Sequence, residues 1–169
     1  MPKNWKTHKL KEVLEIKNGK SKPKKVGNIP IYGGNGILGY SNKHNNCSKV
    51  VIIGRVGAYC GSVFYEDNPI WISDNAMSAK VKETGSNKFY YYLLQHLNLN
   101  SFAGGSSQPL LTQSTLNEIN INVPDLPEQK AIANILSAID DKIENNLAIN
   151  KTLEDMAMAL YKHWFVEFV

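Results

Sequence analysis

The chain is poor in the features from which membrane spans, disulfide scaffolds and active sites are assembled. Val50 to Ile53 is a clean apolar run, and no uninterrupted apolar run exceeds six residues, whereas a membrane helix needs about 20. The opening MPKNWKTHKLKE carries charges where an export signal has an apolar core, so a cytoplasmic protein without membrane contact is expected. The two cysteines, Cys47 and Cys60, form no CxxC pair, which argues against a disulfide framework and fits a reducing compartment. Internal repeats and low-complexity tracts are lacking too. Cys60 as a nucleophile would need His44 or His96 as its base, and nothing in the sequence links them. His44 and Cys47 stand three apart, as metal ligands do, but a zinc site needs two more and the other candidates are scattered. No catalytic residue, metal or cofactor is expected.

What the chain does have is an uneven charge. The formal net charge of +4 divides into +8 for residues 1–124, with 15 Lys and Arg against 7 Asp and Glu, and −4 for residues 125–169, with 4 against 8. The first part carries the electrostatic footprint of a polyanion binder, although many solvated surfaces are lysine-rich. Lys20, Lys22, Lys24 and Lys25 crowd into KNGKSKPKKVGN, where Pro23 and the glycines keep out regular structure and place four ammonium groups on an exposed loop.

Periodicity outlines one domain followed by one helix. The stretch HKLKEVLEI reads as an amphipathic turn, and strands are expected at Ile29–Tyr32, Lys49–Ile53, Tyr59–Tyr65, Ile70–Ile72, Ala76–Val81 and Ile119–Val123. Phe89, Leu93, Leu94 and Leu97 recur at helical spacing, and TQSTLNEI predicts a second, short helix. The short strands, with Gly and Asn between them, imply an irregular curved sheet in a domain of the α+β class.

Several loops hold side chains able to read a ligand. Gly34, Gly36 and Gly39 match GxGxxG, but the following YSNKHNN is turn-forming and no acid occurs before Glu66, so a dinucleotide site is excluded. Two readings remain: a Gly-rich turn between strands, or a backbone made bare so that a phosphate or base approaches closely, with Tyr32 and Asn35 beside it. Arg55, the only arginine, lies between glycines at the end of an apolar strand. Its fork suits guanine or phosphate, or equally a carboxylate of its own domain such as Asp74. Asn75, Gln108 and Gln113 sit in loops where amides either read adenine or tie their own turns together.

The last 45 residues read as one heptad helix. Its seam runs Ile132, Leu136, Ile139, Ile143, Asn146, Asn150, Leu153, Ala157, Leu160 and Trp164 in steps of four and three. Pro124 blocks helix upstream, Pro127 suits the first turn, and Glu128 lies where the helix dipole favours an acid. A stripe of this kind needs a partner helix. Asn146 and Asn150 interrupt it near the middle, unless Leu147 takes the seam and both amides face water.

Together IKNGK, YGGNGILGY, IIGRVGAYCG, WISDNA, GSSQPLLTQSTL, LPEQKAIANILSAIDDKIE and ALYKHWFVEF resemble, in order and spacing, the specificity subunit of type I restriction-modification systems. The resemblance implies a mixed α/β target recognition domain over residues 1–124 and a long coiled-coil spacer helix over residues 125–169. It also implies a non-catalytic role: choosing the double-stranded DNA sequence for methyltransferase subunits that use S-adenosylmethionine, and through them for an ATP-driven restriction subunit. Members of that family usually hold two recognition domains and two antiparallel helices, one domain for each half of a split site. This chain has one of each, which implies a half-subunit acting as a homodimer through antiparallel helices, a segment of a split system, or a shortened or trimmed form. The DNA-contacting candidates are Lys20, Lys22, Lys24, Lys25, Tyr32, Gly34, Asn35, Arg55, Asn75 and Gln108. A rival function is a scaffold or competitor that binds methyltransferase subunits without useful DNA specificity; a small hydrolase or nuclease built on Cys60 or Asp74 comes last.

Overall fold

Residues 4–105 and 108–167 are described by a computed structural model. Its centre is β5 (Val50–Gly54), buried at every position. Val51 and Ile53 point into one apolar cluster and Val50 and Ile52 into another, so the strand is covered on both faces. That double burial is why the run is continuously apolar instead of alternating. β5 lies in a four-stranded antiparallel sheet with β2 (Leu14–Asn18), β8 (Ala76–Val81) and β6 (Val63–Glu66), in the order β2-β8-β5-β6. A three-stranded sheet holds β3 (Ile29–Gly33) between β4 (Gly36–Ser41), antiparallel, and β7 (Trp71–Ile72), parallel. β1 (Lys6–Lys9) pairs antiparallel with β9 (Asn120–Val123).

The larger cluster is closed by α2 (Asn87–His96), which turns Phe89, Tyr90 and Leu94 inward. Ser86 caps it by accepting a hydrogen bond from the Phe89 N–H at 3.2 Å, a contact worth about 1 kcal/mol. α1 (Leu10–Val13) is a single turn and α3 (Gln113–Asn117) is capped by Thr112. A long helix, α4 (Leu126–Phe165), starts at Asp125, whose carboxylate accepts from the Glu128 N–H at 3.0 Å. Gln129, buried in the first turns, donates to the Pro124 carbonyl and accepts from the Ser86 N–H, tying the helix start to α2.

The α+β class is as expected, and the differences are local. HKLKEVLEI is not one amphipathic turn: it ends β1, makes α1 and enters β2, where Leu14 and Ile16 are buried and Glu15 and Lys17 exposed at a period of two. The segment after Gly34 is strand β4, because Gly36, at φ +90°, turns the chain back along β3. Tyr59–Gly61 is turn, and strand resumes only at Val63. The chain divides into two compact units, Met1–Ala133 and Asn134–Val169. No helix among the described residues is long and apolar enough to cross a membrane.

Candidate nucleic-acid interface

Backbone hydrogen bonds draw three separate loops together, and a close approach at Gly34 adds a fourth. The Arg55 N–H donates to the Asn75 carbonyl at 3.1 Å, the Arg55 carbonyl accepts from the Leu111 N–H at 2.8 Å, and the Gly57 N–H donates to the Pro109 carbonyl at 3.0 Å. Gly34 begins the two-residue turn between β3 and β4. A Cβ there would lie 3.3 Å from the Asn75 carbonyl oxygen and 3.4 Å from that of Val56, and the Gly34 carbonyl accepts from the Ser62 hydroxyl at 2.5 Å. Gly34 is thus where the hairpin tip passes closely over the other loops. Gly34 with Asn35, Arg55, Asn75 and the segment after Gln108 become neighbours in space.

Asn35, Asn75 and Gln108 are exposed, and among the described residues their side chains make no hydrogen bond. Asn35 and Asn75 are therefore not consumed in holding their turns among the described residues. Gln113, by contrast, donates to the Ile16 carbonyl and serves the fold. Arg55 makes no ion pair among the described residues, with Asp74 or any other acid, and its Nε is buried without a partner. Asp74 itself is exposed.

Tyr32 departs from the sequence expectation. It is 7% exposed, its ring centroid lies 5.9 Å from that of Phe64, and its hydroxyl donates to Glu66 Oε1 at 2.7 Å. Burial, reinforced by the Glu66 carboxylate, pushes the hydroxyl well above the usual tyrosine range. The ring packs inside the domain, where no base can stack on it, because strand β3 turns this position toward the smaller cluster.

The lysine loop leaves the sheet beside the Asp74–Asn75 turn. Its start is held by the Gly19 N–H on the Ala76 carbonyl at 2.9 Å and the Lys20 N–H on the Ile72 carbonyl at 3.0 Å, while Trp71 Nε1 donates to the Lys20 carbonyl at 3.2 Å. Lys24 and Lys25 then line a cleft of about 360 Å³ with Pro23, Asn42, Lys43 and Trp71. Lys20, Lys22, Lys24, Lys25 and Lys43 form no ion pair among the described residues, whereas Lys9 and Lys11 hold Glu118, and Lys17 holds Glu15. Sequence reasoning missed Lys43, Trp71 and the exposed Tyr59. The acid-free surroundings of Lys43 are the signal that points to it; the other two are assigned to strands and carry none.

Two other chemistries find no support. Cys60 is buried, its thiol donates to the Arg55 carbonyl at 3.3 Å, and burial pushes its pKa up, away from the thiolate a nucleophile needs. Cys47 Sγ and His44 Nδ1 lie 3.9 Å apart, but no group of three His, Cys, Asp or Glu among the described residues is placed to hold a metal. Along α4 the seam positions Ile139, Ile143, Leu153, Leu160 and Trp164 are each more than half exposed. Asn146, Asn150 and Ala157 are exposed as well, and Ile132 and Leu136 are partly covered.

Comparison with known proteins places this arrangement. The profile of the type I restriction modification DNA specificity domain matches residues 2–155. The type I restriction enzyme MjaIX specificity subunit of Methanocaldococcus jannaschii is 30% identical over 195 aligned positions, covering 99% of this chain and 45% of that protein. The EcoprrI specificity subunit of Escherichia coli is 33% identical over 66% of this chain and 28% of its own length. The crystal structure of the type I restriction-modification system S subunit from M. genitalium shares the fold, with a TM-score of 0.79 at 24% identity over 95% of this chain and 48% of that one. The chain therefore spans half or less of the length of these relatives. With its profile match running through both the domain and most of α4, the chain belongs to the type I restriction modification DNA specificity domain family.

Proposed function

We propose that this chain is a DNA sequence-recognition subunit of a type I restriction-modification system, non-catalytic itself and working in the cytoplasm. Residues 1–124 read one half of a bipartite site on double-stranded DNA. Helix α4 pairs antiparallel with a second copy, and residues 125–169 carry methyltransferase subunits, and through them the restriction subunit.

The observation that carries this reading is the unpaired Arg55 at the meeting point of four loops, with the uncommitted amides of Asn35 and Asn75 on two of them and that of Gln108 at the start of a third. Arg55 is half-buried and holds no carboxylate, so its planar fork stays uncommitted for a guanine edge or a phosphate. Lys20, Lys22, Lys24 and Lys25, also unpaired, supply the sequence-independent part by displacing counterions from the duplex. Support for partners comes from α4. Ile135, Ile149 and Met156 are more than half exposed and sit immediately before the seam positions Leu136, Asn150 and Ala157. The apolar face is wider than a two-helix seam requires and leaves room for helices of another subunit.

Mapping adenine and cytosine methylation in host DNA with and without the gene tests the function directly. One interrupted palindrome is expected to lose methylation on deletion. An unchanged methylome, with the methyltransferase genes intact and active, would leave this chain as a scaffold without useful specificity.

A further inference from the structure

Strand β4 carries an apolar surface that the fold covers only in part. Ile37, Leu38 and Tyr40 are 50%, 48% and 52% exposed, and β4 lies at the edge of its sheet, so one side of its backbone has no strand neighbour there. Edges of this kind are normally blunted by charge or covered by a partner. The trio is also built into the hairpin. Ile31 pairs with Gly39 and Tyr32 with Ile37, which leaves Leu38 outside the regular register, and Leu38 fills the space that a side chain at Gly33 would take. A bulge at such a place redirects side chains.

Charge indicates what covers this surface. Between Glu15 and Glu66 the chain has no Asp or Glu but carries seven lysines and Arg55. β4 runs through the middle of that stretch. Lys22 Nζ stands 3.4 Å from the Cβ position of Gly39, within β4, and the cleft holding Lys24, Lys25 and Lys43 begins just past its end. An apolar helix or an added protein strand would bury the trio and leave those ammonium groups without counter-charge. A duplex alternates phosphates with apolar sugar and base edges and satisfies both. We propose that β4 lies against the DNA, with Ile37, Leu38 and Tyr40 packed on sugars and base edges between phosphates held by Lys22 and Lys43. The proposal rests on the DNA-recognition reading and deepens it by adding an apolar part of the affinity that does not depend on counterion release.

The test uses the full chain with its methyltransferase subunits and a fluorescent duplex carrying the mapped site. The double variant Ile37→Thr/Tyr40→Thr places a β-branched residue of high strand propensity at both positions and so retains the strand. Its affinity is expected to fall roughly tenfold at every salt concentration, with the slope of log K against log salt unchanged. Wild-type affinity in this variant, while neutralising Lys20, Lys22, Lys24 and Lys25 weakens binding in the same titration, would overturn the β4 proposal and leave DNA recognition standing. No measurable DNA binding by the unaltered complex would overturn both. A photocrosslinking residue in place of Tyr40 decides the matter if the double variant is unstable. Crosslinks to DNA are expected, and crosslinks only to the methyltransferase or to a second copy would assign β4 to a protein partner instead.

Discussion

Arg55 concentrates the recognition argument in one side chain, because its backbone is pinned on two sides by Asn75 and Leu111 while its guanidinium has no partner among the described residues. Arg55→Lys keeps the charge and loses the planar fork. If the fork reads a guanine, discrimination at one base pair falls by roughly 1–3 kcal/mol, measured by competition among single-substitution duplexes. Equal losses on every sequence would assign Arg55 to a phosphate or to the scaffold. A different residue reports on the fold alone. The ammonium groups of Lys11 and Lys9 hold the Glu118 carboxyl down to about 2 from its usual 4.5. A carboxyl with a lowered folded-state pKa stabilises the fold above its unfolded pKa, and that contribution disappears as the pH falls through the folded one. Glu118→Gln is therefore expected to melt slightly below wild type at neutral pH, with the gap closing between pH 4.5 and 2. The effect is small because the group is solvent-exposed. A gap that persists at the acid end would mean that the pairing contributes through shape and not charge.

At the scale of elements, the lysine loop is an irregular segment whose anchors lie at its start: Gly19 and Lys20 pair with Ala76 and Ile72, beside the turn that carries Asn75. Changing Lys20, Lys22, Lys24 and Lys25 to Gln is expected to weaken binding to specific and scrambled duplexes alike. The salt slope should flatten by about 0.9 for each lysine that touches a phosphate. A quadruple variant with the wild-type slope would show that the loop faces away from DNA. The hairpin β3–β4 has a different character. Its tip is drawn inward by the Ser62 hydroxyl on the Gly34 carbonyl, and its edge strand stays open to solvent.

For the molecule as a whole, α4 presents Ile139, Ile143, Leu153, Leu160 and Trp164 to water, a surface whose burial is favourable by about 25 cal/mol per Å². An antiparallel homodimer is the proposed solution. In such a pair Asn146 and Asn150 meet their counterparts and set register through hydrogen bonds, at a cost in stability. Sedimentation at micromolar concentration is expected to give a dimer. Asn146→Leu/Asn150→Leu should tighten association while broadening the distribution of oligomers. A wild-type monomer, or methylation of an asymmetric bipartite site with this chain as the sole specificity subunit, would exclude the homodimer. From Ile132 to Trp164 the helix spans roughly 48 Å at about 1.5 Å per residue, enough to separate two readers by one turn of DNA or slightly more.

The sequence by itself determines the elements whose signal is local: the heptad stripe of α4, the helical spacing of Phe89 and Leu94 in α2, the apolar run of β5, and the charge split between domain and helix. Each depends on neighbours within a few positions, or on a simple sum. β2 and β4 are not legible in the same way, because Leu14–Asn18 competes with a helical pattern and β4 becomes a strand only by folding back on β3. The tertiary structure alone decides which loop residues meet. Long-range hydrogen bonds and close packing at Gly34 gather Asn35, Arg55, Asn75 and the segment after Gln108, leave Arg55 without an ion pair to Asp74, and turn Tyr32 onto Glu66. Burial and pairing depend on residues far away in sequence, and no pattern within a single segment records which of them arrive.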